Sequence, residues 1–185
     1  MINLENFKNT LENISLDKIN SQYMTNSQLE AIDFDEVKNE YINSLNLYKF
    51  PHSNDALFID KENNIMIFIE FKNGVISQTV NYELRLKIYE SLLILLDIIN
   101  ENISFSREKI SYILVYNEDK KHSSKFYDKT KREGIESIKN KISSLAKEEI
   151  VRFDLKQYED IYFKKVSTYN KKEFEEKFIK KYEVK

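Results

Sequence analysis

Cysteine is absent and histidine occurs only twice, so a disulfide framework and a thiolate zinc site are both excluded, and nothing in the composition calls for an oxidising compartment. Tryptophan is absent too, and the 185 residues include two Gly and one Pro. With so few breakers, turns fall to Asn, Asp and Ser, and no Gly/Ser-rich or Pro-rich linker separates one part of the chain from another. The length suits one sizeable core, so a single domain over residues 1–185 is expected. No Gly-rich phosphate loop and no Ser-His-Asp arrangement can be assembled, which sets aside ATP, dinucleotide and triad chemistry. Long apolar runs are also missing. The greasiest stretch, residues 91–100, is too short to cross a bilayer, and residues 1–11 carry Glu5 and Lys8 where a signal peptide would be apolar. A cytoplasmic protein without a membrane partner is the expectation.

Charge is nearly balanced at −2 but unevenly placed. Residues 1–70 hold 5 Lys against 12 acids, a net of −7, and the remainder holds 24 basic against 19 acidic residues, a net of +5. A positive second half can attract a phosphate backbone, and Lys120, Lys121 and Lys125, with Lys131 and Arg132 beyond them, form its densest basic run. Acidic residues are interleaved through most of the same half, which equally describes an ordinary solvated surface.

Hydrophobic spacing predicts one or two short helices over residues 3–24, from Leu4, Phe7, Leu11 and Ile14. A clearer helix begins at Phe34, with Asp33 as N-cap, Glu36 at the capping-box position and an Ile32–Val37 staple. Residues 47–50 read as a short strand stopped by Pro51. Residues 55–60 and 65–71 read as two strands joined by a polar turn, and the second, apolar on both faces, belongs in the middle of a sheet. The principal core helix is expected over residues 78–100 and another apolar strand over 110–116. An amphipathic helix follows over 129–147, then a strand over 161–166. A last helix is capped by Asn170, with Glu173 in the box and a Tyr169–Phe174 staple. Strands separated by helices of this length define an α/β protein with a central mixed sheet flanked by helices.

The chemistry-bearing feature is the hairpin over residues 55–72. The chain contains seven Asp/Glu-x-Lys tripeptides, so the tripeptide alone says little. Only Glu70-Phe71-Lys72 ends a strongly apolar strand and follows an Asp-bearing strand at hairpin distance. Residues two apart on a strand share a face, so Glu70 and Lys72 project together and Phe71 points the other way. Pairing across the turn brings Asp55 alongside Glu70. Two such carboxylates repel unless one is protonated or a cation lies between them, and a hard ion such as Mg²⁺ or Mn²⁺ suits an all-oxygen site. The bland alternative is a turn-capping Asp55 with a Glu70–Lys72 edge pair. Against it stands the cost of burying an acid and a lysine at the end of so apolar a strand.

Pro51-His52-Ser53-Asn54-Asp55, the following Ala-Leu-Phe-Ile, and Ile67-Phe68-Ile69-Glu70-Phe71-Lys72 together resemble the PD-(D/E)XK nuclease superfamily over roughly the middle half of the chain. One departure is that Pro51 does not directly precede Asp55. The resemblance implies a restriction-endonuclease-like core of a helix, a three-stranded antiparallel meander, a second helix and a further strand. It implies that Asp55, Glu70 and the Phe71 carbonyl bind Mg²⁺ or Mn²⁺, and that Lys72 is the catalytic lysine. It further suggests an acid from the first core helix, by position Glu40, and polar groups on the helix after the lysine, for which Gln78, Tyr82 and Lys87 are candidates. His52 stands three residues before Asp55 and is a candidate for substrate contact. The implied activity is metal-dependent phosphodiester hydrolysis on DNA or RNA, in bacterial defence or a mobile element. The alternative is a catalytically silent protein of the same fold that binds a protein partner, as an inhibitor or immunity factor, or pairs with itself.

Overall fold

The computed structural model describes residues 2–48, 50–120 and 150–183. Its centre is a six-stranded mixed sheet in the order β1 (Lys8–Thr10), β4 (Glu30–Asp33), β5 (Ala56–Asp60), β6 (Ile65–Lys72), β7 (Ile110–Tyr116), β8 (Lys165–Asn170). Neighbours from β1 to β6 run antiparallel, while β6, β7 and β8 run parallel. A small two-stranded ribbon, β2 (Leu16–Asp17) and β3 (Gln22–Tyr23), stands apart from the sheet. Helix α1 (Leu11–Ile14) precedes the ribbon, α2 (Phe34–Ser44) links β4 to β5, and α3 (Gln78–Ile99) with α4 (Ile103–Lys109) carries the chain from β6 to β7. After β8 the chain ends in a helical run, α5, through Lys171–Phe174, a π-helical Glu175–Ile179 and Lys180–Glu183. Among the described residues no helix is long and apolar enough to cross a membrane.

The pleat divides the sheet into two faces, each with its own core. Leu57, Phe68, Tyr112 and Leu114 pack under Phe34 and Val37 of α2 and Leu84, Ile88, Leu92 and Leu95 of α3. Ala56, Phe58, Ile67, Ile69 and Phe71 pack against Phe174, Phe178 and Ile179 of α5. Strand β6 is therefore apolar on both faces because both are covered, as its sequence required.

Several expected elements are present. Helix α2 starts at Phe34, with Asp33 accepting from the Glu36 amide at 3.3 Å and Ile32 and Val37 buried in one cluster. Ser77 caps α3 by accepting from the Val80 amide, and Asn100 ends it in a left-handed conformation. At the last helix the capping box is reciprocal, with Glu173 N donating to Asn170 Oδ1 at 2.8 Å and Asn170 N donating to Glu173 Oε2 at 2.9 Å. The turn of the β5–β6 hairpin uses Asp60, which accepts from the Asn63 amide and side chain, and Asn64, which takes a φ of 52°. Asn tolerates this region better than any β-branched residue. Asn64→Val is expected to lower stability by about 1–2 kcal/mol and Asn64→Gly to leave it nearly unchanged, as read from urea unfolding midpoints.

Four expectations are corrected. Residues 3–24 form a 3₁₀ turn, Leu4–Phe7, then β1, one turn of helix and the ribbon. The apolar spacing is real, since Leu11 is fully buried, but Asn9, Thr10, Ser15 and Asp17 bond to nearby backbone and side chains and compete with a longer helix. The described residues of 47–50 are not strand. The outer neighbour of β5 is β4, which precedes α2, so a helix interrupts the expected meander. The last strand is β8 at Lys165–Asn170 and not 161–166. The hydroxyl of its buried Thr168 is satisfied by the Arg152 amide and the Ile150 carbonyl. The helix expected over 129–147 lies outside the described residues.

Candidate functional site

Strand β6 ends at Lys72, and the face it turns toward α3 carries Phe68, then Glu70, then Lys72, as the period of two demands. The β5–β6 register pairs Ala56 with Ile69, so Asp55, one residue before β5, falls opposite Glu70. The segment leading into β5 is held from above by one face of α3. Ser91 Oγ accepts from the Asn54 amide at 2.7 Å, Glu90 accepts from the His52 amide, and Lys87 reaches Asp55. Residues 87, 90 and 91 stand three and four apart, so they share one side of the helix. From α2, the Phe34 amide donates to the Asp55 carbonyl at 3.0 Å.

The two carboxylates meet on one ammonium. Lys87 Nζ lies 3.1 Å from Asp55 Oδ1, 2.6 Å from Glu70 Oε1 and 2.9 Å from Glu70 Oε2. Asp55 Oδ2 accepts from the Phe71 amide at 2.7 Å. Every oxygen of both acids thus has a donor, and the three protons of Nζ have three acceptors. The Glu70 side chain is 1% exposed, against 19% for Asp55 and 22% for Lys87. Burial, and then the charge of Asp55, push the Glu70 carboxyl well above the usual carboxylate range, while Lys87 and Lys72 pull it down. Burial works against the Lys87 ammonium, yet Glu70 and Asp55 outweigh it and hold that proton on. Because Nζ contacts both Glu70 oxygens, the ion-paired form is the one these contacts suit.

Beside the pair lies a cleft of about 600 Å³ between the ribbon, the start of α2 and the end of β6. Asp55, Phe71, Lys72 and Asn73 line one side, Asp33, Asp35 and Glu36 another, and Asp17 and Lys18 of the ribbon region a third. The ribbon is tied across to the sheet, since Asn73 Nδ2 donates to Asp17 Oδ2 at 2.9 Å and to Gln22 Oε1 at 3.0 Å, and Asn117 Nδ2 donates to Asn73 Oδ1 at 2.8 Å. The amides of Asn20 and Asn73 hold the Asp17 carboxyl down at about 2.

The expected site residues therefore separate into groups. Asp55, Glu70 and Lys87 converge, and Lys72 shares the face of Glu70 at the mouth of the cleft. Glu40 is exposed and outside the cleft lining, where α2 contributes Glu36 together with its cap Asp33. His52 pairs with Glu90, its Nδ1 2.9 Å from Oε2. Gln78 and Tyr82 are exposed on the first turns of α3, away from the cleft lining. Lys120 is described and exposed, whereas Lys121, Lys125, Lys131 and Arg132 lie outside the described residues.

Sequence reasoning missed two features. One is that Lys87 bridges the acids; its spacing with Glu90 and Ser91 on α3 was the available signal. The other is Tyr112 of β7, whose buried hydroxyl feels both carboxylates, so that burial and their charge push its pKa well above the ordinary value. That hydroxyl has no hydrogen-bond partner among the described residues, and nothing in a strand of apolar residues announces it.

The donors at this point are carboxylate oxygens, the chemistry a hard cation prefers, and their joint charge already draws one cation in the form of Lys87. Among the described residues no group of three or more His, Cys, Asp or Glu is arranged to hold a metal ion. Compared against protein families, curated proteins and solved structures, the chain matches none.

Proposed function

We propose that this chain is a metal-dependent phosphodiesterase acting on DNA or RNA, built on a restriction-endonuclease-like core of the PD-(D/E)XK kind. The observation that carries this reading is the convergence of Asp55 and Glu70 at the carboxyl end of β6, with Lys72 two residues on and on the same face, beside an open cleft. The order β5, β6, α3, β7, with β7 parallel to β6, supports the same reading, and β4 supplies a third antiparallel strand on the far side of the hairpin.

In this reading Asp55, Glu70 and the Phe71 carbonyl would hold Mg²⁺ or Mn²⁺, which supplies Lewis acidity and a water of lowered pKa. Lys72 orients the attacking water or balances charge developing on the phosphoryl oxygens. The apolar sheet beneath keeps these groups in a fixed frame. Lys120, with Lys121, Lys125, Lys131 and Arg132, is proposed to draw in the phosphate backbone, the positive half of the chain serving the acidic site.

A second reading is a protein of this architecture that does not cut and acts by binding a protein partner or a second copy of itself. One observation favours it: Lys87 already bridges both carboxylates and offsets part of their charge without any ion. Purified protein incubated with single- and double-stranded DNA and RNA, with Mg²⁺ or Mn²⁺ and with EDTA, separates the two. Ion-dependent cleavage, with a melting temperature raised by the ion, is expected. No cleavage and no response of the melting temperature to either ion would establish the silent binder.

A further inference from the structure

We infer that Lys87 is a resident counter-cation of the Asp55–Glu70 site, and that a divalent ion enters only by displacing it. The inference rests on the metal-dependent reading above and adds to it a residue that sets the site's affinity for its ion.

The argument is one of space and charge. An oxygen-bound Mg²⁺ or Mn²⁺ sits about 2.0–2.2 Å from its ligands. Lys87 Nζ stands 2.6–3.1 Å from three oxygens of the same two carboxylates, in the gap such an ion would fill. An ammonium and a dication cannot share that gap, because their repulsion in a poorly solvated site is large. Lys87 is able to leave: its side chain is 22% exposed, on a flexible stem from the middle of α3. Asp55 stays aligned without it, since Oδ2 keeps the Phe71 amide and its carbonyl keeps the Phe34 amide. Glu70 has no such second anchor among the described contacts, so it is the ligand whose charge the lysine chiefly holds. The ion-free protein is thereby spared the repulsion of two facing acids, and the ion must compete for its place.

The test compares Mn²⁺ affinity of wild type and Lys87→Met by isothermal titration calorimetry. The variant is expected to bind Mn²⁺ tighter by about tenfold or more, since the competing charge is gone, and Asp55→Asn in the same background is expected to abolish the gain. Because the variant is also expected to be less stable, a measurement on wild type keeps the inference testable: reductive ¹³C-methylation of its lysines with and without saturating Mg²⁺. Lys87 is expected to react slowly without the ion and readily with it. If wild type binds the ion and cuts, but Lys87→Met binds no tighter and Lys87 labelling is unchanged, the inference falls and the phosphodiesterase reading stands. If neither protein binds Mn²⁺ or Mg²⁺, both fall.

Discussion

Lys87→Met is expected to destabilise the fold by about 3–5 kcal/mol at neutral pH, because it strands a buried Glu70 and a neighbouring Asp55 without their common partner. The loss is expected to depend on pH in a defined direction. Burial and Asp55 already raise the folded-state pKa of Glu70 above its ordinary value of 4.5, and removing Lys87 removes the main opposing pull. A carboxyl whose folded pKa is raised favours folding while it is protonated in both states. That contribution is lost as pH climbs from the unfolded value through the folded one. Wild type, with Glu70 already raised to about 8, loses this contribution over the same range. The deficit of the variant should therefore stay level up to that value and widen only above it, where Lys87 holds the ionised Glu70 and the variant has no counter-charge. Chemical unfolding of both proteins from the ordinary carboxylate range to beyond that value checks the sign. A deficit that shrank with rising pH would mean that Glu70 is not the group left unpaired.

Lys72→Ala is expected to reduce ion-dependent cleavage by about 10²–10³-fold while leaving ion affinity and stability close to wild type. Lys72 is half-buried at the end of β6 and forms no ion pair with Asp55 or Glu70, so its removal leaves the hydrogen bonds of both acids in place. Asp55→Ala separates the roles, since it should lose both cleavage and ion affinity. Facing carboxylates seen in sequence alone suggest that Asp55→Ala relieves repulsion and stabilises the ion-free protein. The contacts reverse that expectation. Asp55 accepts from the Phe71 amide and from Lys87, so its removal leaves an unpaired buried amide and is expected to lower stability by about 1–3 kcal/mol. Cleavage rates, titration calorimetry and melting curves on the two variants distinguish these outcomes.

The parts of the fold legible in sequence are those set by local rules. The β5–β6 hairpin follows from alternation, a polar turn and the apolar run Ile65–Ile69, and the same period of two places Glu70 and Lys72 together. The cap at Asp33 and the capping box at Asn170 and Glu173 are likewise written in neighbouring residues. Strand β4 is four residues long and the ribbon strands are two each, too short for any period to register. The partners of β4, β1 and β5, lie well away along the chain, as β7 does from β8. The bridge made by Lys87 is non-local in the same way. Helical spacing shows that Lys87, Glu90 and Ser91 share a face, but only the packing of α3 over the sheet shows that this face sits on Asp55 and Glu70. The acids of the cleft from α2 and the ribbon were hidden for the same reason, since their elements meet only in the folded chain.

A crystal structure of the protein soaked in Mn²⁺ tests the central claim most directly. The account predicts an anomalous peak between the carboxylates of Asp55 and Glu70, with Lys87 swung out of the gap and Lys72 facing the ion. Lys87 still bridging the two acids at saturating Mn²⁺, with no peak between them, would contradict it.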